Sequence, residues 1–222
     1  PDHTIFNERP ESQDRALKVL EKMGYTIVPR GEAEKKRGSR RAVLFQDELQ
    51  SFLGKQTYPF GTQRRYFSGG AIARAIQAME QYSGAGLYAA NKEIYDLLCS
   101  GKSLEEELPD GTRQSFDIGY IDFEHPENNT FQVTDEFEVE RPNGKFARLD
   151  IVVLINGIPL VIIECKKSGV DVMEGVNQNI RNWGEEYIPH LFRYSQLVLA
   201  VNPDKVLYGT CGTTAQHFVS WH

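Results

Sequence analysis

A mixed α/β fold is predicted by the order of three patterns along the chain. Helical periodicity fills most of residues 1–112, alternating or unbroken apolar runs begin at Arg113, and a helical stretch from Val172 separates those runs from a final pair. The implied architecture is a central mixed sheet of about five to six strands, with an antiparallel meander and flanking helices. Residues 1–112 supply a mainly helical N-terminal part with the first core helix, and 113–222 the sheet core, all within one domain. With 222 residues, 40% of them hydrophobic, the chain can build a substantial interior.

In order, Glu11–Met23 reads as an amphipathic helix with Ala16, Leu17, Leu20 and Met23 as its apolar stripe and Gly24 as its stop. Tyr25–Val28 is a short strand. Arg30–Arg41 reads as a polar, basic loop. Ala42–Leu53, Gly70–Tyr82 and Gly86–Cys99 are helical, with Arg64 and Arg65 on the connection between the first two. Phe116–Phe123, Thr130–Val139, Phe146–Ile155 and Ile158–Cys165 form the meander, with turns at Pro126–Asn129, Pro142–Gly144 and Asn156-Gly157. Val172–Trp183 and Glu186–Phe192 are helical, and Ser195–Val201 and Lys205–Tyr208 return to strand.

The formal charge of -6 and pI near 5.5 argue against a protein that coats nucleic acid non-specifically, but do not exclude a nuclease, whose metal site is itself acidic. Cys99, Cys165 and Cys211 form neither a disulfide framework nor a zinc spacing, which fits a reducing, cytoplasmic setting. No apolar run approaches the length of a membrane span and no secretory signal is visible, so no membrane partner is expected. The chain begins without Met and stops at Trp221-His222, the pattern expected of a piece of something longer.

The chemistry concentrates where the apolar run Ile158–Ile163 ends in Glu164-Cys165-Lys166. Strand alternation turns Glu164 and Lys166 to one face and Cys165 to the other. Asp150 stands at the head of the preceding apolar run. Two carboxylates and an ammonium are the minimum set for holding a divalent cation and a water against a phosphodiester; the competing reading is a salt-bridged charge pair at a strand end. The hairpin register decides whether the carboxylates meet. A two-residue Asn156-Gly157 turn pairs Ile155 with Ile158, sets Asp150 against Ile163 and sends Glu164 to the wrong face. A bulged three-residue loop pairs Leu154 with Ile158, sets Asp150 against Ile162 and places Glu164 diagonally beside it. The bulged loop is therefore the predicted one.

Other signals are weaker. Gly101-Lys102-Ser103 mimics the end of a phosphate-binding loop, but position 96 is Asp and the tripeptide follows a helix, so Gly101 reads as a helix stop. Lys35, Lys36, Arg37, Arg40 and Arg41 form either a solvated loop or a grip on DNA phosphates that Arg64, Arg65 and Arg74 could extend. Glu105–Glu140 holds twelve acids against Arg113 alone, which reads as a solvated face turned from DNA or a surface for a protein partner. Gln178, with Asn182 one turn on, lies on the helix after the acidic strand, where an amide can orient a water or a phosphate.

In sum these residues resemble the N-terminal region of the restriction (HsdR) subunit of type I restriction-modification enzymes. The resemblance is carried by Glu8–Gln13 before the first helix, Asn91 with Tyr95–Leu98, Ile121–Phe123, Arg148–Asp150, Asn156–Leu160, Glu164–Lys166, Gly175–Asn182, Gln196–Val198, Asn202, Tyr208–Thr210 and Trp221. It implies a PD-(D/E)xK restriction-endonuclease-like core and a Mg²⁺-dependent DNA endonuclease. The family's two motor domains, which use ATP, lie outside these residues. It further implies that Asp150 and Glu164, with the Cys165 backbone carbonyl, bind the metal, that Lys166 is the catalytic lysine, and that Gln178 is the helix-motif glutamine. Implied partners are double-stranded DNA and the modification (M) and specificity (S) subunits. The family's proline before the aspartate is Leu149 here, and its tyrosine after the glutamine is Asn182. A first-helix contribution falls to Gln13 or Glu11. Two other readings stand beside this one: a nuclease of the same fold from outside the type I systems, type II-like or resolvase-like, and a catalytically silent assembly module.

Overall fold

The computed structural model describes residues 11–81 and 84–221. Its centre is a seven-stranded mixed sheet in the order β1-β6-β7-β8-β9-β10-β11, comprising β1 (Thr26–Ile27), β6 (Phe131–Glu140), β7 (Phe146–Ile155), β8 (Ile158–Cys165), β9 (Leu197–Val201), β10 (Val206–Gly209) and β11 (Val219–Ser220). β1 runs parallel to β6, and β8 parallel to β9; the other pairings are antiparallel. Helix α6 (Val172–Asn182) and the short α7 (Pro189–Phe192) carry the chain from β8 to β9, as a parallel pair requires. β7 and β8 are the greasiest strands because both faces are covered. Leu17 of α1 (Glu11–Lys22) joins Val133, Ile151, Val153, Ile163 and Cys165 on one face. Leu149, Val152, Leu154 and Ile162 join the larger core on the other.

That larger core is built with α2 (Arg30–Arg37), α3 (Gln46–Gly54), α4 (Gly69–Glu80) and α5 (Leu87–Ser100). Two ribbons accompany them: β2 (Thr57–Phe60) with β3 (Gln63–Tyr66), and β4 (Lys102–Glu107) with β5 (Arg113–Ile118). Among the described residues, no helix is long and apolar enough to cross a membrane.

Several expectations change. The basic segment 30–41 is largely helical: Pro29 precedes α2 and Gly38, left-handed at φ 70, ends it. Arg64 and Arg65 lie on β3 rather than in a connection. The segment expected as the first meander strand pairs with β4 in its own ribbon, so the meander within the main sheet has three strands. The helix expected from Ala42 begins at Gln46, because Val43, Leu44 and Phe45 are spent in the core. The Glu8–Pro10 part of the first-helix motif lies outside the described residues.

The hairpin register departs from the expected three-residue loop. The turn is the two-residue Asn156-Gly157, both with positive φ (51 and 80), and it pairs Ile155 with Ile158. The extra residue sits inside β8 instead. Leu154 pairs with Pro159, but Val153 pairs with Val161, so the ladder slips by one residue at Leu160. Beyond the slip Ile151 faces Ile163, which sets Asp150 against Glu164 on the next rung. The carboxylates meet through a bulge in the strand where one in the loop had been expected.

Candidate metal centre on the β7–β8 rung

Glu164 is buried to 1% exposure. Its Oε1 accepts from the Lys166 ammonium at 3.1 Å, whereas Oε2 is buried with no hydrogen-bond partner. Burial first, then the negative charge of Asp150, pushes the Glu164 carboxyl up to about 8, and Lys166 offsets this only in part. A buried carboxyl with one oxygen unused must take up a proton or be completed by a cation, and the raised pKa records that demand.

Asp150 is half-buried; its Oδ2 accepts from the Cys165 backbone N–H at 2.7 Å, which fixes the carboxylate across the gap between β7 and β8. Lys166 Nζ also donates to Gln178 Oε1 at 2.7 Å, so the ammonium is held between strand and helix. α6 can come this close because Gly175, one turn before Gln178, has no side chain. A Cβ there would meet Ala200 Cβ at 3.0 Å, Glu164 Cγ at 3.5 Å and Lys166 Cε at 3.6 Å. Asp171 caps the helix by accepting from the Met173 N–H at 3.0 Å.

From the opposite face α1 braces the same rung. Gln13, fully buried, donates to the Asp150 carbonyl at 3.1 Å and to Glu136 Oε1 at 3.5 Å, and its own Oε1 has no partner. Ser12 Oγ donates to the Lys166 carbonyl at 2.7 Å. Glu136 lies opposite Asp150 between the pairs Asp135–Ile151 and Phe137–Leu149, in a left-handed conformation at φ 51, and pairs with Arg148 at 2.9 Å. Non-glycine residues rarely adopt this conformation, and strain of this kind gathers at sites that need an exact geometry held.

Asp150, Glu164, Lys166 and Gln178 are thus brought together. Gln13 lies beneath them, while Glu11 is exposed and pairs with Arg15 outside the site. Leu149 and Asn182 are both buried. The basic residues do not form one open patch. Arg37 is buried, donates to the Glu138 and Ala42 carbonyls at 2.8 and 3.2 Å and lies over the Phe137 ring. Lys36 pairs with Glu48, Arg40 with Glu138 and Arg41 with Glu140. Arg64 binds Thr57, and Arg74 the Glu105 carbonyl. Lys35 and Arg65 are exposed. Sequence reasoning missed Ser12, which read as part of a helix start, and Glu136, whose backbone conformation has no sequence signal. The role of Gly175 becomes visible only when α6 is seated on β8 and β9.

Among the described residues, no group of three or more His, Cys, Asp or Glu side chains is gathered to hold a metal. The fit therefore rests on two carboxylates. Their hard oxygens, the unpartnered Glu164 Oε2 and the raised Glu164 pKa suit a small divalent cation that keeps several waters.

The model of the family described as type I restriction enzyme R protein N terminus matches residues 5–217. The HindI endonuclease subunit of Haemophilus influenzae, a type I restriction enzyme, is 24% identical over 225 residues, covering 98% of this chain and 20% of that protein. A type I restriction enzyme endonuclease subunit of Staphylococcus saprophyticus subsp. saprophyticus is 40% identical over 120 residues, 54% of this chain and 12% of its own. One from Staphylococcus aureus is 33% identical over 120 residues, 53% and 12% respectively. The chain spans a fifth or less of the length of these relatives.

Proposed function

The chain belongs to the family of type I restriction enzyme R protein N termini, and from that premise we propose that it is a Mg²⁺-dependent endonuclease region that hydrolyses phosphodiester bonds of double-stranded DNA. The observation that carries this reading is the rung itself: Asp150 against Glu164, with Glu164 Oε2 buried and unpartnered. Asp150, Glu164 and the Cys165 backbone carbonyl would hold the ion. When bound, Mg²⁺ neutralises charge on the scissile phosphate and acidifies water.

The chain's own residues do the rest. Cys165 N–H keeps one Asp150 oxygen fixed, so the carboxylate does not swing toward Lys166. Lys166 keeps a positive charge beside the reacting phosphate and stabilises the negative charge that builds there. Gln178 accepts from Lys166 Nζ and so aims the ammonium; its amide N–H groups are left to orient a water or a phosphate oxygen. Gln13 and Ser12 tie the two strand ends to α1 and hold the rung in register. In the assembled enzyme, cleavage follows ATP-driven translocation by motor domains elsewhere in the protein, with modification and specificity subunits as partners.

The test is Asp150→Ala and Lys166→Ala in the assembled enzyme. Cleavage of plasmid DNA should fall by at least about 10³-fold, the scale of removing an electrostatic or metal-holding group, while ATP hydrolysis and DNA binding persist. Retained cleavage in either variant would refute the assignment.

A further inference from the structure

A recess of about 420 Å³ opens at the end of β6, lined by Arg41, Glu140, Arg141, Pro142 and His190. Arg141 is fixed before any ligand arrives. Its guanidinium lies over the Tyr187 ring at 4.0 Å, and its Nε donates to the Glu186 carbonyl at 3.1 Å, so the group lines the recess in a fixed pose. His190 Nε2 is buried and has no hydrogen-bond partner. Arg41 Nε and Nη2 both reach Glu140 Oε1, at 3.2 and 3.1 Å, so the lining sets two guanidinium groups and an imidazole against one carboxylate, which Arg41 already engages. Donors exceed acceptors.

We propose that this recess binds a phosphate oxyanion, in the working enzyme a phosphodiester of the DNA backbone a few steps from the one being cut. Arg141 would grip the oxygens, and Arg41 and the His190 ring would turn, one from Glu140 and the other from its buried position, to join them. Burial, then Arg193 and Arg41, hold the His190 pKa below its ordinary value, which keeps the ring neutral and Nε2 able to carry an N–H. The position along the sheet agrees. Glu140 pairs with Phe146, and Asp150 lies four residues further along β7, roughly 13 Å at strand rise. That is about four steps of one DNA strand at 3.4 Å each. The DNA assignment rests on the nuclease reading; the anion site does not.

The test measures binding of a labelled duplex of about 20 bp, without divalent metal, over a range of salt. It uses the wild type, Arg141→Gln and Glu140→Gln, with thermal unfolding to verify folding. Arg141→Gln should weaken binding about 5- to 10-fold and lower the slope of log K against log salt by about one. Glu140→Gln, which frees Arg41 and removes the competing carboxylate, should tighten binding several-fold. In parallel, inorganic phosphate should shift the His190 imidazole resonances, identified by their loss in His190→Gln. Phosphate shifting His190 without any change in duplex binding would overturn the assignment to DNA. Wild-type duplex binding in both variants together with an unresponsive His190 would overturn the site. Failure of divalent metal to bind at Asp150 and Glu164 would instead strike the nuclease reading and leave the recess untouched.

Discussion

The two ends of the β7–β8 hairpin treat buried polarity in opposite ways. At the turn, Asn156 is fully buried and fully used: Oδ1 accepts from the Thr130 N–H at 2.8 Å, and Nδ2 donates to the Tyr120 carbonyl at 3.0 Å and to Asn129 Oδ1 at 2.8 Å. Its neighbour Gly157 accepts from the Phe45 N–H at 2.9 Å. At the other end Glu164 and Gln13 are just as buried, yet each keeps an oxygen without a partner. A satisfied buried group holds a fold together, whereas an unsatisfied one is retained at the expense of stability and marks where something else binds.

The comparison breaks if substitutions at the two ends have similar effects. The largest loss is expected from Gly157→Val. A Cβ would lie 2.3 Å from the Phe45 carbonyl oxygen, in a backbone at φ 80 that a β-branched residue strongly resists. Unfolding in urea should show a loss above about 4 kcal/mol, or no folded protein at all. Asn156→Ala should lose about 1–3 kcal/mol, since it strands the buried Tyr120 carbonyl and removes two further hydrogen bonds, to Thr130 and Asn129, that water can partly replace. Its folded fraction should still bind metal.

Glu164→Gln should do the reverse, abolishing cleavage while leaving the fold as stable or more so. The sign follows from linkage. The folded Glu164 pKa, about 8, exceeds its ordinary 4.5, so the folded chain holds an extra proton between those values. The stability this group contributes is fully present below pH 4.5 and is lost as pH rises toward and through 8. Metal-free wild type should weaken across that window in denaturant titrations, and Glu164→Gln should lose this component of the slope. An identical pH profile in the two proteins would contradict the burial assigned to Glu164. The smallest effect is expected from Gly175→Ala. One methyl at 3.0 Å from Ala200 Cβ should cost about 1–2 kcal/mol and lift α6 enough to slow cleavage.

How much of this was written in the sequence differs in the same way between regions. Phe146–Ile155 and Ile158–Cys165 were read to the residue, because covered strands are long apolar runs closed by an Asn-Gly turn. Asp150, Glu164, Lys166 and Gln178 could be placed on those elements and do converge. Their register could not be read. The slip at Leu160 lies within an unbroken apolar run where each alignment buries similar side chains, and packing against both covering layers chooses between them. Arg30–Arg37 was missed as a helix because its eight residues show almost no apolar stripe: beside the i,i+4 pairs Arg30–Glu34 and Lys36–Glu32, it relies on Ala33 and Arg37 packing inward and on the distant pair Arg30–Glu138. Lys102–Glu107 was missed as a strand because only Leu104 and Glu106 face inward, and Glu106 is buried by accepting from the Ser68 N–H and hydroxyl.

The most direct measurement is calorimetric titration of Mg²⁺ and Mn²⁺ into the wild-type chain and into Asp150→Asn. Saturable binding of a divalent ion in the wild type, lost in the variant with its folding intact, is the expected result. Equal heats in the two proteins, or none in the wild type, would show that the opposed carboxylates do not form a metal centre.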